Sequence, residues 1–123
     1  MRVSFFFRGS EYMTETEKIR RTKEYKQIRE SLIEQLERSG NDTPHFLNLV
    51  EDYMSMYITK ELCKADISAR GINITSIGST GQTVTKKNDS IDSSLKINQQ
   101  MIKLLDKLGI QPDAGMDLND EEM

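Results

Sequence analysis

The segment that most constrains the fold runs from Thr43 to Gly71, because its start and stop signals enclose a long and unusually apolar helix pattern. Thr43 supplies an N-cap and Pro44 a first helical residue, so a helix is predicted from there to Gly71. Its apolar side chains form three adjacent stripes and leave only a narrow polar strip. So wide an apolar arc indicates a central helix that is packed on two sides, and the second partner could belong to another subunit.

A second long amphipathic helix is predicted near the C-terminal end of the chain. Asn88, Asp89 or Ser90 can cap it, and Gly109 followed by Pro112 ends it. Two neighbouring apolar stripes run along this helix: Ile91, Leu95, Ile102 and Leu105 in one, and Ile97, Met101, Leu104 and Leu108 in the other. They predict that the helix packs on the preceding one and on a neighbouring subunit.

The segment between these two helices changes its period. Ile72 and Ile74 alternate with polar residues, residues 78–81 supply a turn, and β-branched residues return at 83–85. This pattern predicts a short, mobile β-hairpin over residues 71–87, whose tip, rich in Gly, Ser and Thr, could equally be a disordered loop.

A first helix is predicted to begin near Thr14, which has capping-box spacing to Glu17, and to end at Gly40. One face of it is apolar, formed by Tyr25, Ile28, Leu32 and Leu36. The predicted fold is therefore mainly α, with three helices and a short hairpin between the second and third. Only 36% of the residues are hydrophobic and Trp is absent, so association with further copies is expected to complete the burial.

Charge divides the chain into a basic front and an acidic back. Residues 18–29 hold six bases and one acid, whereas residues 113–123 hold five acids and no base. The predicted organisation is a flexible leader and basic arm at 1–24, a helical oligomerisation domain at 25–112, and a disordered acidic tail at 113–123. Within the first part, residues 1–12 are hypothesised to be translated leader with Met13 as the natural start, or else a genuine N-terminal segment.

The residues that carry chemistry are few. His45 and Cys63 are single, and the chain has no phosphate-binding loop, no nucleophile elbow and no Cys/His spacing typical of a metal site. No apolar run approaches the roughly 20 residues of a membrane span. We therefore expect a non-enzyme without cofactor or metal. Two classes remain, which are a nucleic-acid-binding adaptor and a helical scaffold or regulator that binds only protein.

Several short elements, in this order and spacing, resemble one family of viral proteins. The resemblance covers residues 25–112 and lies in "TPHF" at 43–46, in Tyr53, in "KKNDS" at 86–90, and in "NQQM" at 98–101 with "LG" at 108–109. The chain resembles the small terminase subunits of tailed phages, specifically the short, mostly helical group of phages and prophages of Gram-positive bacteria.

This resemblance implies a non-catalytic half of a DNA-packaging motor. Such subunits assemble into homo-oligomeric rings, recognise double-stranded viral DNA and deliver it to the large terminase subunit, which holds the ATPase and nuclease. The implied location is the cytoplasm of the infected or lysogenic bacterial host. No helix-turn-helix is evident here, so binding to the DNA backbone by a basic arm is expected rather than reading of bases in the major groove.

Three sets of candidate residues follow from these patterns. The expected DNA contacts are Lys18, Arg20, Arg21, Lys23, Lys26, Arg29, Lys86 and Lys87. The expected oligomer interface consists of Phe46, Tyr53, Met56, Tyr57, Ile97, Met101, Leu104 and Leu108. The expected contact with the large subunit consists of Asp117, Leu118, Asp120, Glu121 and Glu122.

Overall fold

The structure of the protein is a computed structural model that describes residues 13–110. These residues form four helices and one two-stranded antiparallel hairpin. The elements are α1 (Glu15–Arg20), α2 (Lys23–Arg38), α3 (Pro44–Arg70), β1 (Asn73–Ile77), β2 (Thr83–Lys87) and α4 (Asp89–Leu108). The mainly helical class and the hairpin before the last helix are confirmed, whereas the prediction of three helices is wrong.

The helix count differs because the predicted first helix is broken at Thr22. The Thr22 hydroxyl donates to the carbonyl oxygen of Ile19 at 2.7 Å and accepts from the amide nitrogen of Tyr25 at 3.2 Å. Such local bonds offer the backbone an alternative to a continuous helix, and here they end α1 and cap α2. The predicted start is confirmed, since the Thr14 hydroxyl accepts from the amide nitrogen of Glu17 at 3.1 Å.

The ends of the two long helices match the sequence signals. Thr43 is the N-cap residue of α3 and Pro44 its first residue. Among the three candidate caps of α4, Asn88 takes the role, because its Oδ1 accepts from the amide nitrogen of Ser90 at 2.9 Å. Gly109 closes α4 in the left-handed conformation, with a φ of 71°, which a side chain would disfavour.

The core lies where α2, α3 and α4 meet. Its buried side chains are Tyr25, Leu32, Leu36, Val50, Met54, Ile58, Leu104 and Leu108. Helices α3 and α4 are antiparallel neighbours, and two side-chain hydrogen bonds connect them. Lys60 Nζ donates to Asn98 Oδ1 at 2.7 Å, and Ser90 Oγ donates to Asp66 Oδ2 at 2.7 Å. The apolar face predicted for α2 is confirmed, with three of its four residues buried.

Burial is uneven along α3 and α4. The buried residues of α3 end at Ile58 and those of α4 begin at Met101. Residues 59–70 and 89–100 therefore form a two-helix stem whose side chains are at most half-buried. The stem carries the hairpin at its far end, away from the core.

Asn88 joins the hairpin to the stem and is the one buried polar residue within the described range. Its amide nitrogen donates to the carbonyl oxygen of Ile72 at 2.7 Å, and its Nδ2 donates to that of Gly71 at 3.0 Å. Both bonds close the hairpin at its base, next to the first strand pair, Asn73 with Lys87. The strands beyond are almost entirely exposed.

Candidate nucleic-acid interface

The largest group of unneutralised bases surrounds the junction between α1 and α2. Arg20, Arg21, Lys23 and Lys26 are exposed and form no ion pair with any residue in the range 13–110. We call these four residues the basic corner. They lie within seven consecutive positions, so their charges sum over a small part of the surface.

The basic corner is held in place by apolar side chains on both sides of Thr22. Ile19 packs partly against the core from α1, and Tyr25 is buried at the start of α2. Tyr25 also faces Tyr57 of α3, with ring centroids 6.0 Å apart. The bases therefore project from a backbone whose direction is fixed on either side of the helix break.

Two other bases of the predicted arm are engaged with carboxylates. Lys18 Nζ lies 3.3 Å from Glu15 Oε2, and Arg29 Nη2 lies 2.6 Å from Glu51 Oε2. The hydrogen bonds that Arg29 donates to Glu51 raise the pKa of Arg29 above its ordinary value. Since Arg29 thereby ties α2 to α3, its charge is less available to a phosphate than those of the basic corner.

The two lysines at the hairpin base are likewise paired. Lys87 Nζ lies 3.0 Å from Asp92 Oδ1, and Lys86 Nζ lies 3.7 Å from Asp89 Oδ2. Both aspartates belong to the first turn of α4, where a negative charge also interacts favourably with the helix dipole. The structure thus separates the eight predicted DNA contacts into four neutralised bases and the four of the basic corner.

A second group of polar side chains at the hairpin base, formed by Asp66, Arg70 and Ser90, connects two helices. Arg70 donates to both carboxylate oxygens of Asp66, at 2.6 and 2.8 Å, and Ser90 donates to the same carboxylate. These hydrogen bonds, that of Arg70 first, hold the pKa of Asp66 well below its ordinary value. The carboxylate stays charged and links the end of α3 to the start of α4.

The predicted oligomer-interface residues divide by burial. Phe46, Tyr53, Met56, Tyr57 and Ile97 are half-buried. Burial raises the pKa of Tyr53 and of Tyr57 above the ordinary value. Met101, Leu104 and Leu108 are instead buried within one chain, at 5%, 8% and 2% exposure. Because the core already covers these three, they offer a second copy little apolar surface.

The apolar surface that α4 leaves open lies on its other stripe. Leu95 is 59% exposed and Ile102 is 58% exposed, and the half-buried Ile91 and Leu105 continue the same line. With Asn98 between them, these positions follow an alternating spacing of four and three residues. That spacing, visible in the sequence, is typical of a helix seam that faces another helix.

Other kinds of site are not evident in the described part of the chain. Residues 13–110 contain no helix long and apolar enough to cross a membrane, and no group of three side chains suited to a metal ion. The expected large-subunit contacts at 117–122, and the hypothesised leader at 1–12, lie outside the described residues. The domain boundaries stay predictions, although Ile19 brings α1 onto the core.

Comparison with known proteins identifies one family. A family model described as "Phage terminase, small subunit" matches residues 25–123 of the chain. No curated protein and no solved structure gives a significant match. The matched residues include α2, α3, the hairpin and α4, and they leave most of the basic corner just before the matched region.

Proposed function

Because the chain belongs to the phage terminase small-subunit family, whose role is in phage DNA packaging, we propose that it recognises viral DNA and delivers it to the large terminase subunit. The observation that supports DNA binding is the basic corner, with four exposed bases that no described carboxylate neutralises. In this proposal the chain itself is non-catalytic, and the ATPase and nuclease belong to the large subunit. Its place of action is the cytoplasm of the bacterial host.

We propose that the basic corner binds phosphates of double-stranded DNA. Its bases lie on both sides of Thr22, at the end of α1 and in the first turn of α2, and are all exposed, so together they offer a compact positive surface to phosphates. Binding of this kind is electrostatic and independent of base sequence. Selection of the packaging site would then depend on several corners acting together, or on the shape of the DNA.

We propose that several copies form a ring, and that the exposed stripe of α4 takes part in the subunit contact. No side chain of the two-helix stem is fully buried, which favours a helical partner beside it. Leu95 and Ile102 supply the exposed apolar area, whereas Met101 on the adjacent stripe already serves the core. Repeated contacts between unlike faces either close into a ring or continue as a filament.

DNA binding is tested with two charge-matched triple variants. One neutralises the corner with Arg20→Gln, Arg21→Gln and Lys23→Gln. The control neutralises three exposed lysines spread along α4, with Lys96→Gln, Lys103→Gln and Lys107→Gln. Titration of a fluorescent duplex from the packaging region at several salt concentrations gives the slope of log affinity against log salt.

The corner variant should lower that slope by about 2.7, since each phosphate contact contributes about 0.9, and the control should leave it unchanged. An equal loss in both variants would contradict a specific role of the corner. If no version binds DNA at low salt, the alternative class, a helical oligomeric regulator that binds only protein, becomes the better description.

Assembly is tested separately by light scattering. Leu95→Gln with Ile102→Gln should reduce the mass of the particle while the far-ultraviolet circular dichroism stays that of the parent. Ile77→Gln is the matched control, because Ile77 is 73% exposed on the hairpin. A parent that is monomeric at micromolar concentration would contradict the ring.

A further inference from the structure

We propose that the acidic segment of residues 113–122 binds the basic corner of its own chain and competes there with DNA. This inference rests on the proposed function of the corner as a DNA contact. The segment holds five acids and no base, and the corner holds four bases that pair with nothing in the described range. The two are the most strongly charged parts of the chain, and their charges are opposite.

The acidic segment is long enough to extend from the end of α4 to the basic corner. Lys60 lies beside Asn98, and Asp66 beside Ser90, so the antiparallel register places Ile110 near the level of residue 47 on α3. The corner lies near Tyr57, which Tyr25 contacts. These levels are about 15 Å apart along α3, and one helix diameter adds about 10 Å across the bundle. Seven extended residues after Ile110 would cover about 23 Å, and the whole stretch of residues 111–122 would cover about 40 Å.

The corner is a better partner for the segment than the other exposed bases. Helix α4 carries three lysines, but it also carries three aspartates, at positions 89, 92 and 106, so its charge is balanced. Lys86 and Lys87 already face two of those aspartates. Residues 20–26, which contain the basic corner, by contrast hold four bases and one acid.

The strength of the competition follows from tethering. A segment joined to its target by a short linker has an effective concentration on the order of 1 mM. If the segment binds the corner as weakly as non-specific DNA does, with a Kd on the order of 0.1 mM, it occupies the corner about nine-tenths of the time. DNA would then bind about tenfold more weakly than to the free corner.

The same segment was expected from its sequence to contact the large subunit. A carboxylate that pairs with the large subunit is not available to the corner, so capture of the segment would release the corner for DNA. By linkage, DNA on the corner would strengthen the capture by the same factor. The arrangement would thus couple loading of DNA to arrival of the motor.

The experiment compares three proteins in the duplex titration: the parent, a chain that ends after Pro112, and a full-length chain with Asp117→Asn, Asp120→Asn, Glu121→Gln and Glu122→Gln. Both altered proteins should bind DNA about tenfold more tightly than the parent at roughly 50 mM salt. The difference should shrink at higher salt because screening weakens both interactions. In the background of the corner-neutralised variant, truncation should have no further effect.

Equal or weaker DNA binding by both altered proteins would overturn the inference while leaving the proposed function intact. Absence of DNA binding in every version would instead contradict the proposed function. A second measurement decides the inference in that case too. Backbone amide NMR shifts of the parent and of the truncated chain should differ at residues 18–29, and identical spectra there would overturn it.

Discussion

The substitution Asn88→Ala tests whether one buried side chain joins the hairpin to the helical stem. Asn88 is fully buried, and its side chain makes two short hydrogen bonds besides a longer one of 3.5 Å from Arg70 Nη2. Oδ1 caps α4 by accepting from the amide nitrogen of Ser90, and Nδ2 donates to the carbonyl oxygen of Gly71. Alanine removes both, and it leaves two backbone groups without their partners.

The expected loss can be worked from these two bonds. Removal of an N-cap side chain costs about 1 kcal/mol, and loss of the bond to Gly71 costs about 1 kcal/mol more. The free energy of unfolding should therefore fall by about 2 kcal/mol. For a domain of about 100 residues, this corresponds to a decrease in Tm of about 8 °C.

Urea denaturation followed by circular dichroism measures the change, at one fixed protein concentration because assembly contributes to apparent stability. Asn88→Ser should recover about 1 kcal/mol, since serine caps a helix as well as asparagine but is too short to reach Gly71. Ser79→Ala, in the exposed turn of the hairpin, is the control and should change the free energy of unfolding by less than about 0.5 kcal/mol. A loss below that value for Asn88→Ala, or no recovery with serine, would refute the reasoning.

Three further substitutions test the core, the helix break and an ion pair. Leu36→Ala should lower the free energy of unfolding by about 2–5 kcal/mol, because Leu36 is fully buried, and an unchanged urea midpoint would contradict its place in the core. Thr22→Ala should cost about 1 kcal/mol by removing the cap of α2, with the salt dependence of DNA binding measured in parallel to detect a displaced corner. Asp66→Asn should reduce the loss of unfolding free energy that the parent shows on acidification. The pKa of Asp66 is lowered in the folded state. Its contribution to the free energy of unfolding is therefore present above the ordinary carboxyl pKa of about 4 and is lost as pH falls. Urea midpoints at pH 5 and pH 2.5 check this, and parallel losses in parent and variant would count against the role of Arg70.

The start and end of the long helices could be predicted from the sequence because local chemistry determines them. Thr43 with Pro44, and Gly109 in its left-handed conformation, act on their own backbone and need no distant partner. The hairpin was predictable for the same reason, from alternation around a glycine-containing turn. The break at Thr22 was missed because a threonine within an otherwise helical pattern can either continue the helix or cap the next one.

The candidate site was predictable in composition but not in pairing. The run of bases at 18–29 was evident, yet only the fold shows that Glu51 of α3 neutralises Arg29 across 22 positions of sequence. On α4, likewise, the sequence does not show which apolar side chains are buried. Its two apolar stripes look alike in the sequence, and the direction in which α3 approaches decides that Met101 enters the core while Ile102 remains exposed.

The closure of the hairpin at its base has a practical consequence for labelling the protein. The bonds from Asn88 to Gly71 and Ile72 lie five strand pairs away from the turn, so the turn does not hold the stem together. The cost of closing a loop grows slowly with its length, and exposed tips tolerate added residues. A reporter peptide inserted between Ser79 and Thr80 should therefore leave the helices intact, and it would carry a fluorophore or an epitope beyond the end of the stem.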